Sequence, residues 1–259
     1  MDHRSAGPQV RLPFHYFERH REFINAERLN LEVYLDAAAL DRTGPAELER
    51  FLSAFGHAPR LTLHGPFHDL SPGATDARMR EHTLMRFRQA MDVASVLKPA
   101  AVVLHSGYDK WRFEHQPEKW LTQSIPVWEA VADWAERIGT RVAVENIFEE
   151  TPDNLAMLME RLGSERFGVC FDTGHFLLFT RRTLDEWLDA LLPHIIETHL
   201  HDNHGDRDAH LPMGEGTFAF PSLLGRLNGS PVIHTVENNT PEESLRSIAW
   251  LRRYFDSHP

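Results

Sequence analysis

The chain has 259 residues, 42% of them apolar, enough to bury the core of one barrel-sized domain over residues 1–259 without a second. Its 38 acidic against 27 basic side chains leave a net charge of −11, which argues against nucleic acid as a partner without excluding it. No apolar run reaches membrane-spanning length, the opening MDHRSAGPQV lacks the apolar stretch of a secretion signal, and the single cysteine, Cys170, rules out an internal disulfide, so a cytoplasmic protein is expected.

Residues 10–15 and 30–36 are the candidates for the first two strands. Beyond them a repeat emerges, in which six apolar runs each end on a polar residue. LTLH ends at His64 and precedes a helix predicted over 78–97; AVVLH ends at His105 and precedes one over 117–138, stopped by Gly139. RVAVE ends at Glu145, after which Thr151 as cap and Pro152 as first helical residue open a helix running to Gly163. FGVCFD ends at Asp172, and Thr183 with Glu186 forms the capping box of the helix that follows. IIETH ends at His199 and leads into the longest irregular stretch, 201–216, rich in His and Asp. VIHTVE ends at Glu237, with Thr240 and Glu243 as a further capping box.

The six end residues are spaced at 41, 40, 27, 27 and 38 residues, each step long enough for a strand, a returning helix and two loops. That is the repeat of an α/β TIM (β/α)8 barrel, whose strand ends meet at one mouth. Counting back in twos from the end residues gives Thr62, Val103, Ala101, Ala143, Cys170, Gly168 and Thr235, mostly small, while the opposite parity is bulky and apolar. Small inward residues leave space beneath a polar mouth. Glu197 breaks the pattern, because it shares parity with His199 and points inward.

The loops add candidates at the same end: His175 follows Asp172 by three, and Asp208 and His210 lie two apart in DAHLPMGEG. Five histidines and four carboxylates on one mouth lose solvation and repel one another unless cations sit among them. Imidazole and carboxylate donors without thiolate suit a borderline divalent ion, zinc or manganese, in one to three copies.

The motifs LHGPF, VVLHSG, VENIF, CFDTGH, HLHDN, DAHLPMGEG and TVEN, in this order over roughly residues 61–240, resemble the xylose isomerase-like superfamily, which joins sugar isomerases and epimerases with endonuclease IV. The resemblance implies a β/α barrel with metal at its C-terminal mouth. Its ketose-epimerase pattern implies one metal on Glu145, Asp172, His199 and Glu237, with both glutamates also moving protons and His175 touching substrate. Its endonuclease pattern implies three zinc ions on His64, His105, Glu145, Asp172, His175, His199, Asp208, His210 and Glu237. Both sets are complete here.

Isomerisation beside a carbonyl needs a base, its conjugate acid and a cation on the developing oxyanion, roles that Glu145, Glu237 and a metal fill. Phosphoester hydrolysis by several zinc ions employs all nine ligands, but no Lys- or Arg-rich loop flanks the strand ends and the last helix opens TPEES, which repels phosphate. A small carbohydrate-like substrate processed by proton transfer is therefore expected, with zinc-dependent phosphoester hydrolysis as the rival and a non-catalytic metal-binding barrel as a third class. Asn146 and Asn238 are expected to support the glutamates they follow, the turn Gly214–Gly216 is a candidate backbone cradle, and Phe67, Trp111, Phe148 and Phe176 are candidates to face a sugar ring.

Overall fold

Eight parallel strands close into a barrel in chain order in the computed structural model, which describes residues 7–258. They are β1 (Gln9–Pro13), β2 (Asn30–Tyr34), β3 (Leu61–His64), β4 (Ala101–His105), β5 (Arg141–Glu145), β6 (Phe167–Asp172), β7 (Ile195–Leu200) and β8 (Ile233–Val236). The helices around them are α1 (Phe17–Glu27), α2 (Ala37–Arg42), α3 (Pro45–Ser53), α4 (Ala77–Leu97), α5 (Pro117–Ile138), α6 (Asp153–Leu162), α7 (Thr173–Phe179), α8 (Leu184–Leu191), α9 (Phe220–Leu227) and α10 (Pro241–Ser257). Closure is made where Gln9 and Val10 of β1 pair with Thr235 and Val236 of β8. The first six residues of the stretch read for a secretion signal lie outside the described residues, and among those described no helix is long and apolar enough to cross a membrane.

The barrel and its last six strands agree with the sequence reading, and three boundaries differ for local reasons. β1 starts at Gln9, which pairs with Asn30 and Thr235, and stops at Pro13 because Phe14–Tyr16 winds into a 3-10 turn ahead of α1. β2 stops at Tyr34 because Asp36, counted as strand, caps α2 by accepting from the Ala39 N–H at 2.6 Å. Thr151 is not the cap of α6: Pro152 occupies that position without a side-chain bond, and the Thr151 hydroxyl donates instead to Asp153 Oδ2 at 2.9 Å. Both capping boxes, Thr183 with Glu186 and Thr240 with Glu243, are formed.

Outward residues such as Leu31, Leu63, Leu104, Val144 and Phe171 form one apolar layer with the helices. Inside the barrel lies a much smaller apolar cluster, Val103, Ala143 and Cys170, with Ile196 packed on it. Ile196 adds a second irregularity to β7, beside the inward Glu197. The register slips there, Val169 facing Ile195 and Cys170 facing Glu197, so Ile196 is an inserted residue and both it and Glu197 turn inward. Gly168 makes the room, since a Cβ on it would lie 2.7 Å from the Ile196 side chain.

Beneath the mouth the interior is polar instead of the bulky aliphatic layer usual in such barrels. The Gln9 amide donates to Thr62 Oγ1 at 2.5 Å, Glu197 Oε1 at 3.0 Å and Thr235 Oγ1 at 2.9 Å, and all four residues are fully buried. Glu32, also fully buried, completes this floor. Burial, aided by the neighbouring Glu32 charge, pushes the Glu197 carboxyl up to about 8, so it is held neutral.

Candidate metal and catalytic site

All nine predicted donors meet at the C-terminal mouth, five of them delivered by strands, Glu237 by the residue after β8, and His175, Asp208 and His210 by α7 and the loop after β7. Glu145 stands at the centre. Its Oε2 lies 3.1 Å from His64 Nε2 and 3.2 Å from His105 Nε2, and its Oε1 lies 3.2 Å from His175 Nδ1 and 3.4 Å from His199 Nδ1. His199 Nδ1 is also 3.1 Å from Glu237 Oε1 and 3.7 Å from Asp172 Oδ2. Asp208 Oδ2 lies 3.0 Å from His210 Nε2 and 3.5 Å from His175 Nε2. Over the cluster opens a cavity of about 910 Å³ whose walls include Arg11, Phe67, Tyr108, Phe148 and Phe179.

The hydrogen bonds around the rings show what the centre is built to hold. His64, His175 and His210 each tie Nδ1–H to a backbone carbonyl, of Gly65, Asn146 and Glu237, at 2.9, 3.1 and 3.1 Å. His199 ties Nε2–H to Glu32 Oε2 at 3.1 Å. Each ring therefore turns its second nitrogen, a lone-pair donor when the imidazole is neutral, toward a carboxylate, the arrangement in which outer partners fix metal-ligating histidines. His199 Nδ1 and Glu237 Oε1 are buried, face each other and make no hydrogen bond. Two unsatisfied acceptors at that distance fit a cation between them, and the mixed imidazole–carboxylate set, in groups such as Asp172, His199 and Glu237, fits a divalent metal.

The charges respond accordingly. Burial opposes ionisation of Glu145, yet His199 and His105 hold its carboxyl well below the usual range. Burial likewise opposes ionisation of Glu237, and Arg11, His199 and His210 bring it down to about 2. Burial lowers His105 to about 4 despite Glu145, keeping that ring neutral. His175 rises well above its ordinary value, burial being outweighed by Asp172, Asp208 and Glu145.

Comparison with known proteins places the chain. Residues 12–254 match the family described as xylose isomerase-like TIM barrel. The chain belongs to that family. Its solved relatives include the TTHB071 protein of Thermus thermophilus, from crystals soaked with ZnCl2, at 27% identity and TM-score 0.80 over 96% of this chain and 98% of that one. A D-tagatose 3-epimerase-like protein shares the fold at 24% identity and TM-score 0.76, over 88% of each chain. Among curated sequences, the uncharacterized protein MJ1311 of Methanocaldococcus jannaschii is 28% identical over 76% of this chain and 70% of its own.

Other expectations divide. Asn146 braces the site, accepting from Asp172 N–H at 2.8 Å and donating to the Asp172 carbonyl at 3.0 Å, while Asn238 donates to the His210 carbonyl at 3.0 Å. Phe67 stacks on His105 with centroids 4.2 Å apart, and Phe148, 52% exposed, lines the cavity. Phe176 is instead packed in the core, and Trp111 stands 73% exposed beneath the Lys110 ammonium, away from the cavity lining. The glycine turn is no cradle for an external anion: Gly214 and Gly216 N–H donate to Asp202 Oδ2 at 3.1 and 2.9 Å, and Phe218 N–H to Oδ1 at 3.0 Å.

Three functional residues escaped the sequence reading. Glu32 orients His199. Arg11 lies over the Tyr34 ring with its Nε 3.4 Å from Glu237 Oε1. His201, fully buried, reaches Asp172. Period two carried the signal for each: Gln9 and Arg11, Glu32 and Tyr34, and His199 and His201 are pairs two apart on inward faces.

Proposed function

We propose that the protein is a divalent-metal-dependent isomerase or epimerase of a small carbohydrate-like substrate, working by proton transfer. The observation that carries this reading is the pairing of Glu145 and Glu237 around His199 Nδ1, two ionised carboxylates arriving from β5 and from the end of β8 beneath one open cavity. Asp172, His199, Glu145 and Glu237 would hold the ion, which when bound supplies positive charge to a substrate oxygen as a proton leaves the neighbouring carbon. Glu145 and Glu237 take and return that proton from two sides. His175, whose backbone N–H donates to Asp172 Oδ1 at 2.7 Å, meets the substrate at the rim. Phe67 and Phe148 supply apolar surface for a sugar ring.

An unphosphorylated substrate suits the surroundings. The first turn of α10 carries Glu242 and Glu243, the Gly214–Gly216 amides are occupied by Asp202, and both positions where a barrel commonly grips phosphate are thereby closed. The convergence of all nine donors favours a second reading, zinc-dependent phosphoester hydrolysis, which uses His64, His105, Asp208 and His210 as well.

The deciding experiment substitutes Glu237→Gln and measures bound metal and turnover on a panel of ketoses. Proton transfer by Glu237 is expected to lower kcat at least about a hundredfold with most of the metal retained. Equal loss of metal and turnover removes the support for that role. Cleavage of abasic DNA that collapses in His64→Ala, without ketose turnover, selects hydrolysis.

A further inference from the structure

On the β1 side of the mouth a guanidinium is set among the acids. Arg11 occupies an inward position of β1, with its side chain 23% exposed. One face of the guanidinium lies over the Tyr34 ring, 4.8 Å from its centroid, and one edge faces Glu237, whose Oε1 is 3.4 Å from Nε. Nε is buried and makes no hydrogen bond, and Glu237 is the one acid paired with Arg11 among the described residues. The far edge, which carries both Nη groups, therefore keeps its donors free. A planar fork on a strand, held at one face and one edge, is preorganised to take a two-oxygen anion at the edge that remains.

The space around Arg11 fits that anion. Arg11 lines the 910 Å³ cavity and also a second pocket of about 270 Å³, which runs between β1, α1 and the start of α10. Glu237 is the single acid lining that pocket among the described residues, and Tyr16 and His20 are able to donate into it. The loops after β3 and β4 offer an anion less: there the cavity wall carries Asp69, Asp76 and Asp109 against the single guanidinium of Arg112. A carboxylate suits Arg11 better than a phosphate, because it asks for one fork and not for the backbone amides that Asp202 already occupies.

We infer that Arg11 recognises a carboxylate on the substrate, which makes the preferred substrate a sugar acid, an oxo acid of the carbohydrate series, over a neutral ketose. Glu237 holds the neighbouring edge of the same guanidinium, so the carboxylate is brought close to the carbon at which Glu237 exchanges a proton. Arg11 thus sets specificity and orients the substrate, while the proton moves on the glutamates.

The inference rests on the proton-transfer reading of the mouth, and its test separates the two. The zinc-loaded protein is titrated calorimetrically with D-gluconate and with D-glucitol, which differ at one end by a carboxylate in place of a hydroxymethyl group, in the wild type, Arg11→Gln and Arg11→Lys. The wild type is expected to bind gluconate at least about tenfold more tightly than glucitol, Arg11→Gln to lose that preference, and Arg11→Lys, which keeps the charge beside Glu237 without the fork, to keep only part of it. A wild type without the preference, or a preference that survives in Arg11→Gln through the ion alone, overturns the inference, and turnover of neutral ketoses by such a protein leaves the proton-transfer reading standing. A preference that depends on Arg11, in a protein inert toward ketoses and keto-uronates alike, supports the carboxylate site and overturns that reading. Should Arg11→Gln fail to fold, phenylglyoxal decides on the wild type: gluconate is expected to protect Arg11 from modification where glucitol does not, as mapped by peptide mass spectrometry, and equal modification in the presence of either overturns the inference.

Discussion

At the scale of single residues, burial and hydrogen-bond direction decide what each titratable group does. His234, on β8, lies three residues before Glu237 and faces away from the mouth, with the Thr198 hydroxyl 2.9 Å from its Nδ1. Burial and the Arg60 charge lower it from 6.5 to about 4, so the unfolded chain takes up a proton more readily than the folded one. Stability from this group is therefore complete above pH 6.5 and is lost as pH falls toward 4. Because the residue is half-buried, the loss amounts to roughly 2 kcal/mol. Urea unfolding across that window is expected to show a slope to which His105, lowered likewise, also contributes, and His234→Gln to reduce it; an unchanged slope would assign the acid sensitivity elsewhere. The nine mouth donors were legible because each ends an apolar run or sits in a short His/Asp motif. Glu32, Arg11 and His201 carried only the period-two signal, since the contact through which each acts exists only once distant strands are adjacent, as in the 167-residue separation of Glu32 and His199.

At the scale of elements, the later strands announced themselves by apolar runs closed with a polar residue, and the first two did not. Gln9, Arg11 and Glu32 make those strands look like amphipathic surface strands, although their polar faces point into the barrel. In β7 Glu197 keeps the count of two from His199 and stood out because it is a carboxylate where most other strands place small residues; the count fails one residue earlier, at the inserted Ile196. This irregularity depends on Gly168 of the neighbouring strand, whose missing Cβ would also lie 2.6 Å from the His194 carbonyl oxygen. Gly168→Ala is expected to destabilise the barrel by about 2 kcal/mol through overpacking, read as a lowered urea midpoint with an unaltered slope. A substitution without effect would mean that β7 relaxes freely at the insertion.

At the scale of the whole molecule, the fold concentrates buried acids at one end of its axis. Glu32, Glu145, Asp172 and Glu237 are all at most 4% exposed, while among the described residues Arg11 is the one guanidinium paired with any of them. Ions at the mouth would offset that imbalance, and only the closed barrel presents the donors together. Zinc at about a hundred times its Kd is expected to stabilise the stripped protein by about 2.7 kcal/mol per ion, a rise in Tm of about 5–10 °C. Calorimetry with and without chelator measures it, and an unmoved Tm would count against the mouth as a cation site.

The Gln9 amide, drawn into bonds with partners 53, 188 and 226 residues away, gives the molecule a keystone near its amino end. Until both ends of the chain are seated the arch stands open, and Glu197 is without the amide that binds it alongside the Thr62 and Thr235 hydroxyls. Competence to capture an ion thus depends on closure, and the centre doubles as a certificate that the ring has shut.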